Sequence, residues 1–184
     1  LRLRIICQTQ SGKSVSEEKI VYKYICREKK KKRIAFIGGL NEAKGSKLVY
    51  SILKNANNDY EWFVFGPIGD RNLAGFSKQN VHFHGVYSRD SIAELLHDNQ
   101  IDLVCILPIW PETFCYTLSE AVNAGIPLVA TDMGALTERV LQGNLGWIIP
   151  ANMPTEQILS TISNVLSDEH EYLEKRHAVE HYVH

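Results

Sequence analysis

Six short apolar runs alternate along this chain with segments of helical period, and that rhythm leaves few folds open. The runs are RIAFIGG from Arg33, EWFVFG from Glu61, VHFHG from Val81, IDLVCILP from Ile101, IPLVATD from Ile126 and GWIIP from Gly146. Most are stopped by glycine or proline, as a buried strand entering a tight turn would be. Continuous apolar strands alternating with amphipathic helices predict an α/β architecture. The expected form is a Rossmann-like, doubly wound parallel sheet with helices on both faces.

Several helix ends can be read locally. Leu48, Val49, Ile52 and Leu53 recur with helical period after the first strand. Ser88 is the expected N-cap of a helix carrying Ile92, Leu95 and Leu96 on one face. A helix is expected from about Phe114 to Ala124, ending at Gly125, the residue type favoured just past a C-terminus. The segment GALTERVLQ predicts a short helix. Pro154 opens another, with Ile158, Leu159, Ile162, Val165 and Leu166 on one side, and the charged tail from Asp168 reads as helical.

Residues 1–32 follow a different pattern and are expected to be an appendage or interdomain linker, with residues 33–184 as the main domain. LRLRII and KIVYKYI each suit a short strand. The run REKKKK, Arg27 to Lys32, reads as a solvated linker or strand edge, with peripheral contact to anionic membrane lipid as the sharper alternative. The first residue is Leu, which suggests an excised fragment.

Composition narrows the function. A net charge of −1 over 184 residues argues against a surface built for the nucleic-acid backbone. No apolar run reaches membrane-spanning length, and the first ten residues lack the pattern of a signal peptide. Cys7, Cys26, Cys105 and Cys115 are scattered without CxxC spacing, which fits a reducing, cytoplasmic setting. Cys105, inside an apolar run, reads as a small core hydrophobe. His82 and His84 share one strand face but have no evident third partner for zinc. SGKS at 11–14 lacks the upstream glycine of a phosphate-binding loop, since that position is Cys7. No G-x-G-x-x-G follows the first strand, and no D-x-D pair offers to hold a divalent ion.

Ligands of doubly wound sheets bind at the carboxyl ends of the strands, so chemistry is expected in the turns that follow them. In GGLNEAKGSK, Gly38 and Gly39 let backbone approach a ligand, and Lys44 stands at the expected start of a helix. Helix N-termini present unpaired N–H groups and partial positive charge, a seat for phosphate that a nearby lysine reinforces. In PETFCYTLSEAVNAGIP, Glu112 precedes the helix and Glu120 follows eight positions later within it. Such a pair can grip two parts of one elongated ligand. The plainer alternative is a carboxylate complementing the helix dipole and another pairing with a lysine.

GGLNEAKG, GPIG and PETFCYTLSEAVNAGIPLVATDMGALTE, in that order, resemble the C-terminal, donor-binding half of retaining glycosyltransferases with the GT-B fold. These form the family called glycosyl transferases group 1, and the likeness covers about residues 33–167. It implies a nucleoside-diphosphate sugar as partner, no metal or other cofactor, and a separate acceptor domain absent from these residues. It makes residues 33–184 a nucleotide-sugar-binding domain in a cytoplasmic enzyme of glycan or glycolipid synthesis, inactive without its other half. By the same resemblance, Lys44 contacts the diphosphate, Glu112 holds the transferred sugar and Glu120 accepts from the ribose hydroxyls. Phe114, Cys115, Tyr116 and Thr117 match the segment whose backbone N–H groups cradle the phosphates. Gly66, Pro67 and the strand around Val81 resemble the region bordering the base.

The chain departs from the family pattern at three places. Gly39 stands where an arginine is usual, and Thr113 and Cys115 replace glycines. The missing cation favours the competing view of a degenerate transferase domain kept as a binding or scaffold module. Joint retention of Lys44, Glu112 and Glu120 favours an enzyme.

Overall fold

The computed structural model describes residues 31–111 and 113–182. LRLRII, KIVYKYI, SGKS, Cys7, Cys26 and all but the last two residues of REKKKK therefore lie outside the described residues, as does Glu112. The apolar runs become β1 (Lys32–Ile37), β2 (Tyr60–Phe65), β3 (Val81–Gly85), β4 (Leu103–Ile106), β5 (Leu128–Thr131) and β6 (Gly146–Ile149). All neighbouring pairs are parallel, in the order β3-β2-β1-β4-β5-β6. This is the doubly wound, Rossmann-like sheet that the sequence predicts. The chain winds outward from β1 through β2 and β3, then crosses back to place β4 on the other side of β1.

Alternation along the strands divides the core into two layers. Ala35, Ile37, Phe63, Phe65, Val104 and Ile106 face one way, against α3 (Ile92–Asp98), α4 (Tyr116–Asn123), α5 (Ala135–Gly143) and α7 (Glu169–Glu180). Ile34, Phe36, Trp62, Val64, Leu103 and Cys105 face the other way, against α1 (Ser46–Asn55), the short α2 (Arg71–Ala74) and α6 (Thr155–Ser167). Each of these fully buried aliphatic side chains contributes roughly 1.5–3 kcal/mol by leaving water. Trp62 is the largest side chain wholly enclosed, its ring stacked 5.8 Å from that of Phe36.

The helix ends confirm some expectations and correct others. α4 stops where Gly125 takes φ +65, and the Gly125 and Ile126 N–H groups donate to the carbonyls of Val122 and Ala121. That is the paired bonding of a Schellman cap. The same helix begins at Tyr116, not Phe114, because Cys115 is still extended (φ −96, ψ 98). Ser88 is not an N-cap. The Ser91 N–H and hydroxyl both donate to the Ser88 carbonyl, a turn forms over these residues, and α3 starts only at Ile92. α1 likewise starts at Ser46, so Lys44 lies in the turn before it. α2 has no apolar period to betray it. It is held by Asp70, whose carboxylate accepts from the Asn72 and Leu73 N–H groups.

Candidate functional site

The turns after β1 and β4 meet where the winding reverses. That crevice, outside the carboxyl ends of adjacent strands, is where open α/β sheets hold ligands. Gly38, Gly39, Leu40 and Lys44 from the first turn, Leu107 and Pro108 from the second, and Thr117 from α4 line a common cleft.

Close backbone contact builds this edge. A β-carbon on Gly45, which has φ +76, would fall 2.1 Å from the Leu107 carbonyl oxygen. One on Gly38, at φ +94, would fall 2.6 Å from Thr117 Cγ2. Only glycine permits that approach and that φ. The Ile109 N–H donates to Ala43 O at 3.0 Å, joining the two turns directly. Thr131, at the end of β5, donates its buried hydroxyl to Pro108 O at 2.7 Å and fixes the second turn from the far side. Asn41 Oδ1 accepts from the Lys44 N–H at 3.0 Å, which shapes the turn carrying that lysine. Gly66 and Pro67 abut the same region, with the Leu40 N–H donating to Pro67 O at 2.9 Å.

Helix α4 aims its N-terminus at this edge, and the Cys115 side chain gives its first turn no capping bond. The first N–H groups of such a helix are natural donors to an anion. Cys115 itself is fully buried, its Sγ 3.1 Å from Thr117 Oγ1. Phe114 and Tyr116 are about half exposed, their rings meeting edge to face at 4.9 Å. Each carries a cation on its face: Arg139 lies 4.6 Å from the Phe114 ring and Arg89 4.2 Å from that of Tyr116. Arg139 also donates to Cys115 O and Ser119 Oγ, at 3.1 and 3.0 Å, bracing the entry to α4.

Glu120 is the buried carboxylate of the site, with 8% of its surface exposed. Tyr87 donates to its Oε2 at 2.7 Å, and Arg89 Nε lies 3.7 Å from its Oε1. The Tyr87 side chain that carries this hydroxyl is itself partly buried. Burial first, then the bond to Glu120, pushes that hydroxyl far above its ordinary value, so it stays a donor at all working pH.

The structure thus brings Gly38, Gly39, Lys44 and Thr117 into one cleft, sets Gly66 and Pro67 against the same turn, and places Glu120 three residues beyond Thr117 on α4. Glu112 lies outside the described residues. Val81 is not brought to this edge. It opens β3 opposite Trp62 at the amino end of the sheet and is buried among core residues. The carboxyl end of β3 is Gly85, and the residues that reach the site from it are Tyr87 and Arg89. Sequence reasoning missed both, although the rule directing attention to carboxyl ends pointed to the stretch just past Gly85.

His82 and His84 do share a face, their rings 4.7 and 5.0 Å from those of Phe63 and Phe65. His82 Nε2 lies 2.8 Å from Glu61 Oε2. Among the described residues no three His, Cys, Asp or Glu side chains converge as a metal site. No helix among them is long and apolar enough to cross a membrane.

The fold recurs in solved proteins. HepE of Anabaena, determined in complex with UDP-glucose, superposes with a TM-score of 0.66 at 19% identity, over 80% of this chain and 42% of that one. The C-terminal domain of LpcC, a glycosyl transferase group 1 protein of Francisella tularensis, gives 0.61 at 21% identity, over 80% of this chain and 82% of that domain. In sequence, an uncharacterized 41.2 kDa protein in the cps region of Klebsiella pneumoniae is 25% identical over 163 residues. That match takes in 78% of this chain and 44% of the relative, so the chain spans less than half the length of the curated relative it matches. The family model for glycosyl transferases group 1 matches residues 23–183, nearly the whole chain. The chain belongs to the glycosyl transferases group 1 family.

Proposed function

We propose that this chain is the donor-binding half of a retaining glycosyltransferase that moves a hexose from a nucleoside-diphosphate sugar to a glycan or glycolipid acceptor. One observation carries the reading: Lys44 and the first turn of α4 line the same crevice at the reversal of the sheet. A cation beside a helix N-terminus suits a diphosphate. The UDP-glucose held by HepE supports a nucleotide sugar as the ligand of this fold.

In this reading Lys44 and the backbone N–H groups of residues 114–117 stabilise the departing diphosphate as positive charge develops on the sugar. Glu112, by its match to the family motif, holds the sugar hydroxyls. Glu120 takes the ribose, and Gly38, Gly39, Gly66 and Pro67 provide the close backbone walls. The acceptor attacks from the face the nucleotide leaves. Catalysis is then electrostatic stabilisation and positioning, with no metal called for. The acceptor binds in a second half of the whole protein, without which residues 1–184 transfer nothing. A peripheral contact of REKKKK with anionic lipid would set that enzyme at the inner face of the membrane.

Gly39 supports a second reading, a domain that keeps the fold for assembly alone, because it removes a cation expected on the diphosphate. Calorimetric titration with UDP-, GDP- and dTDP-sugars separates the two. The transferase reading expects saturable heat with at least one donor. No heat with any leaves the scaffold.

A further inference from the structure

Glu120 raises a problem that its burial makes acute. A carboxylate enclosed in protein is costly unless donors satisfy it. It also has three side-chain torsions, so an unheld one would have to be ordered each time a ligand bound. Arg89 Nε is 3.7 Å away, too far for a hydrogen bond, on a side chain 64% exposed. The close partner is the Tyr87 hydroxyl at 2.7 Å.

We infer that Tyr87 is a positioning residue, one that holds the Glu120 carboxylate in place for the ribose of the donor nucleotide. The inference rests on the donor reading of Glu120 given above. Tyr87 occupies Oε2 with one hydrogen bond and leaves Oε1 open to a ligand hydroxyl, since each carboxylate oxygen offers about two acceptor sites. Because the Tyr87 hydroxyl keeps its proton, it donates to Glu120 and never competes as a second anion. The ordering of Glu120 is complete before the nucleotide arrives, which is how preorganisation raises affinity.

A purely structural Tyr87 would also pack well, since its ring lies against the core layer on the α4 side. The test must therefore read the ribose. Tyr87→Phe keeps the ring and removes the hydroxyl. Calorimetry on the full-length protein, with UDP and 2′,3′-dideoxy-UDP as paired probes, should show UDP binding weakened about tenfold, as for loss of a bond to a charged group. Binding of the dideoxy probe should not change. Glu120→Gln should weaken UDP as well, and Tyr87→Phe should add little in that background. The corresponding guanosine pair serves if GDP binds more tightly than UDP.

Equal losses for both probes mean a packing role and overturn the inference, as does no loss for either. If Glu120→Gln weakens UDP while Tyr87→Phe does not, the donor reading stands and the inference alone fails. If Glu120→Gln leaves UDP untouched, the donor reading of Glu120 fails and takes the inference with it. A protein that binds neither ribonucleotide sinks both.

Discussion

A β-carbon on Gly66 would sit 2.2 Å from the carbonyl oxygen of Gly38. The two residues follow Ile37 and Phe65, which pair across β1 and β2, so the strands deliver their turns side by side and backbone presses on backbone. Gly66 also holds φ +125, a region that side chains resist. Gly66→Ala should therefore destabilise by about 2 kcal/mol or more, read as a lower midpoint in urea. Gly75→Ala is the control. Its β-carbon would meet nothing nearer than 3.5 Å at an ordinary φ of −90. That variant should fall within about 0.5 kcal/mol of the unmodified protein. Equal midpoints for the two variants would show that the close approach of these turns does not matter.

Asp70 ties α2 to the start of α1, since its second oxygen takes the Ser46 hydroxyl at 3.3 Å. The Leu73 N–H holds its carboxyl below the ordinary value. Partial burial opposes this, and the Asn72 N–H, Ser46 and the charge of Lys47 add to the lowering. A carboxyl depressed in the folded state contributes stability above its unfolded value of 3.8, and loses it as pH falls through the folded value. Asp70→Asn keeps a capping oxygen but not the charge. Thermal midpoints near neutral pH should favour the unmodified protein, and the gap should begin to close as pH drops below 3.8 and vanish once it has passed the lower folded value. A gap that persisted or grew in acid would assign the effect to something other than this charge.

The sheet was legible because each β-strand declares itself locally through an apolar run, in most cases with the glycine or proline that ends it. The Gly125 cap was legible for the same reason. α2 was not, because four residues carry no period and only its cap, Asp70, marks it. Ser88 misled because Ser91 competes as a cap three residues on, and the serines bond each other instead. The site divided along similar lines. Lys44, Gly38 and Glu120 stand in motifs whose order along the chain is itself the signal. Tyr87 acquires meaning only by reaching Glu120, 33 positions away, across an edge that the strand order creates. Val81 stands apart from the crevice because it opens β3, and only the carboxyl end of that strand lies at the edge where the sheet reverses.

Lys44 is the cation that the proposed reaction relies on most. Lys44→Ala in the full-length enzyme should lower turnover about 10²–10³-fold, the usual loss when one stabilising group for a developing charge is removed. Folding should change far less than turnover, because Asn41 and the glycine at 45 hold the backbone of the turn. Steady-state kinetics with a saturating donor, set beside a thermal melt, would check both halves. Unchanged turnover would remove Lys44 from the mechanism.

Gly39 allows the converse experiment, because this glycine is not required by the backbone. Unlike Gly38, Gly45 and Gly66 it has no positive φ, and a β-carbon there would meet only Pro67 Cγ, at an ordinary 3.6 Å. It is exposed and lines the crevice, so a longer side chain has room. Gly39→Arg should fold normally and return a second cation to the diphosphate. Guanidinium groups suit phosphate through paired N–H donors. Donor affinity should rise about tenfold in titration, the order expected for a charge-assisted hydrogen bond. In the Lys44→Ala background the same change should recover part of the lost turnover, since both cations would act on one leaving group. A folded Gly39→Arg protein with no gain in either assay would mean that the diphosphate does not lie beside this turn.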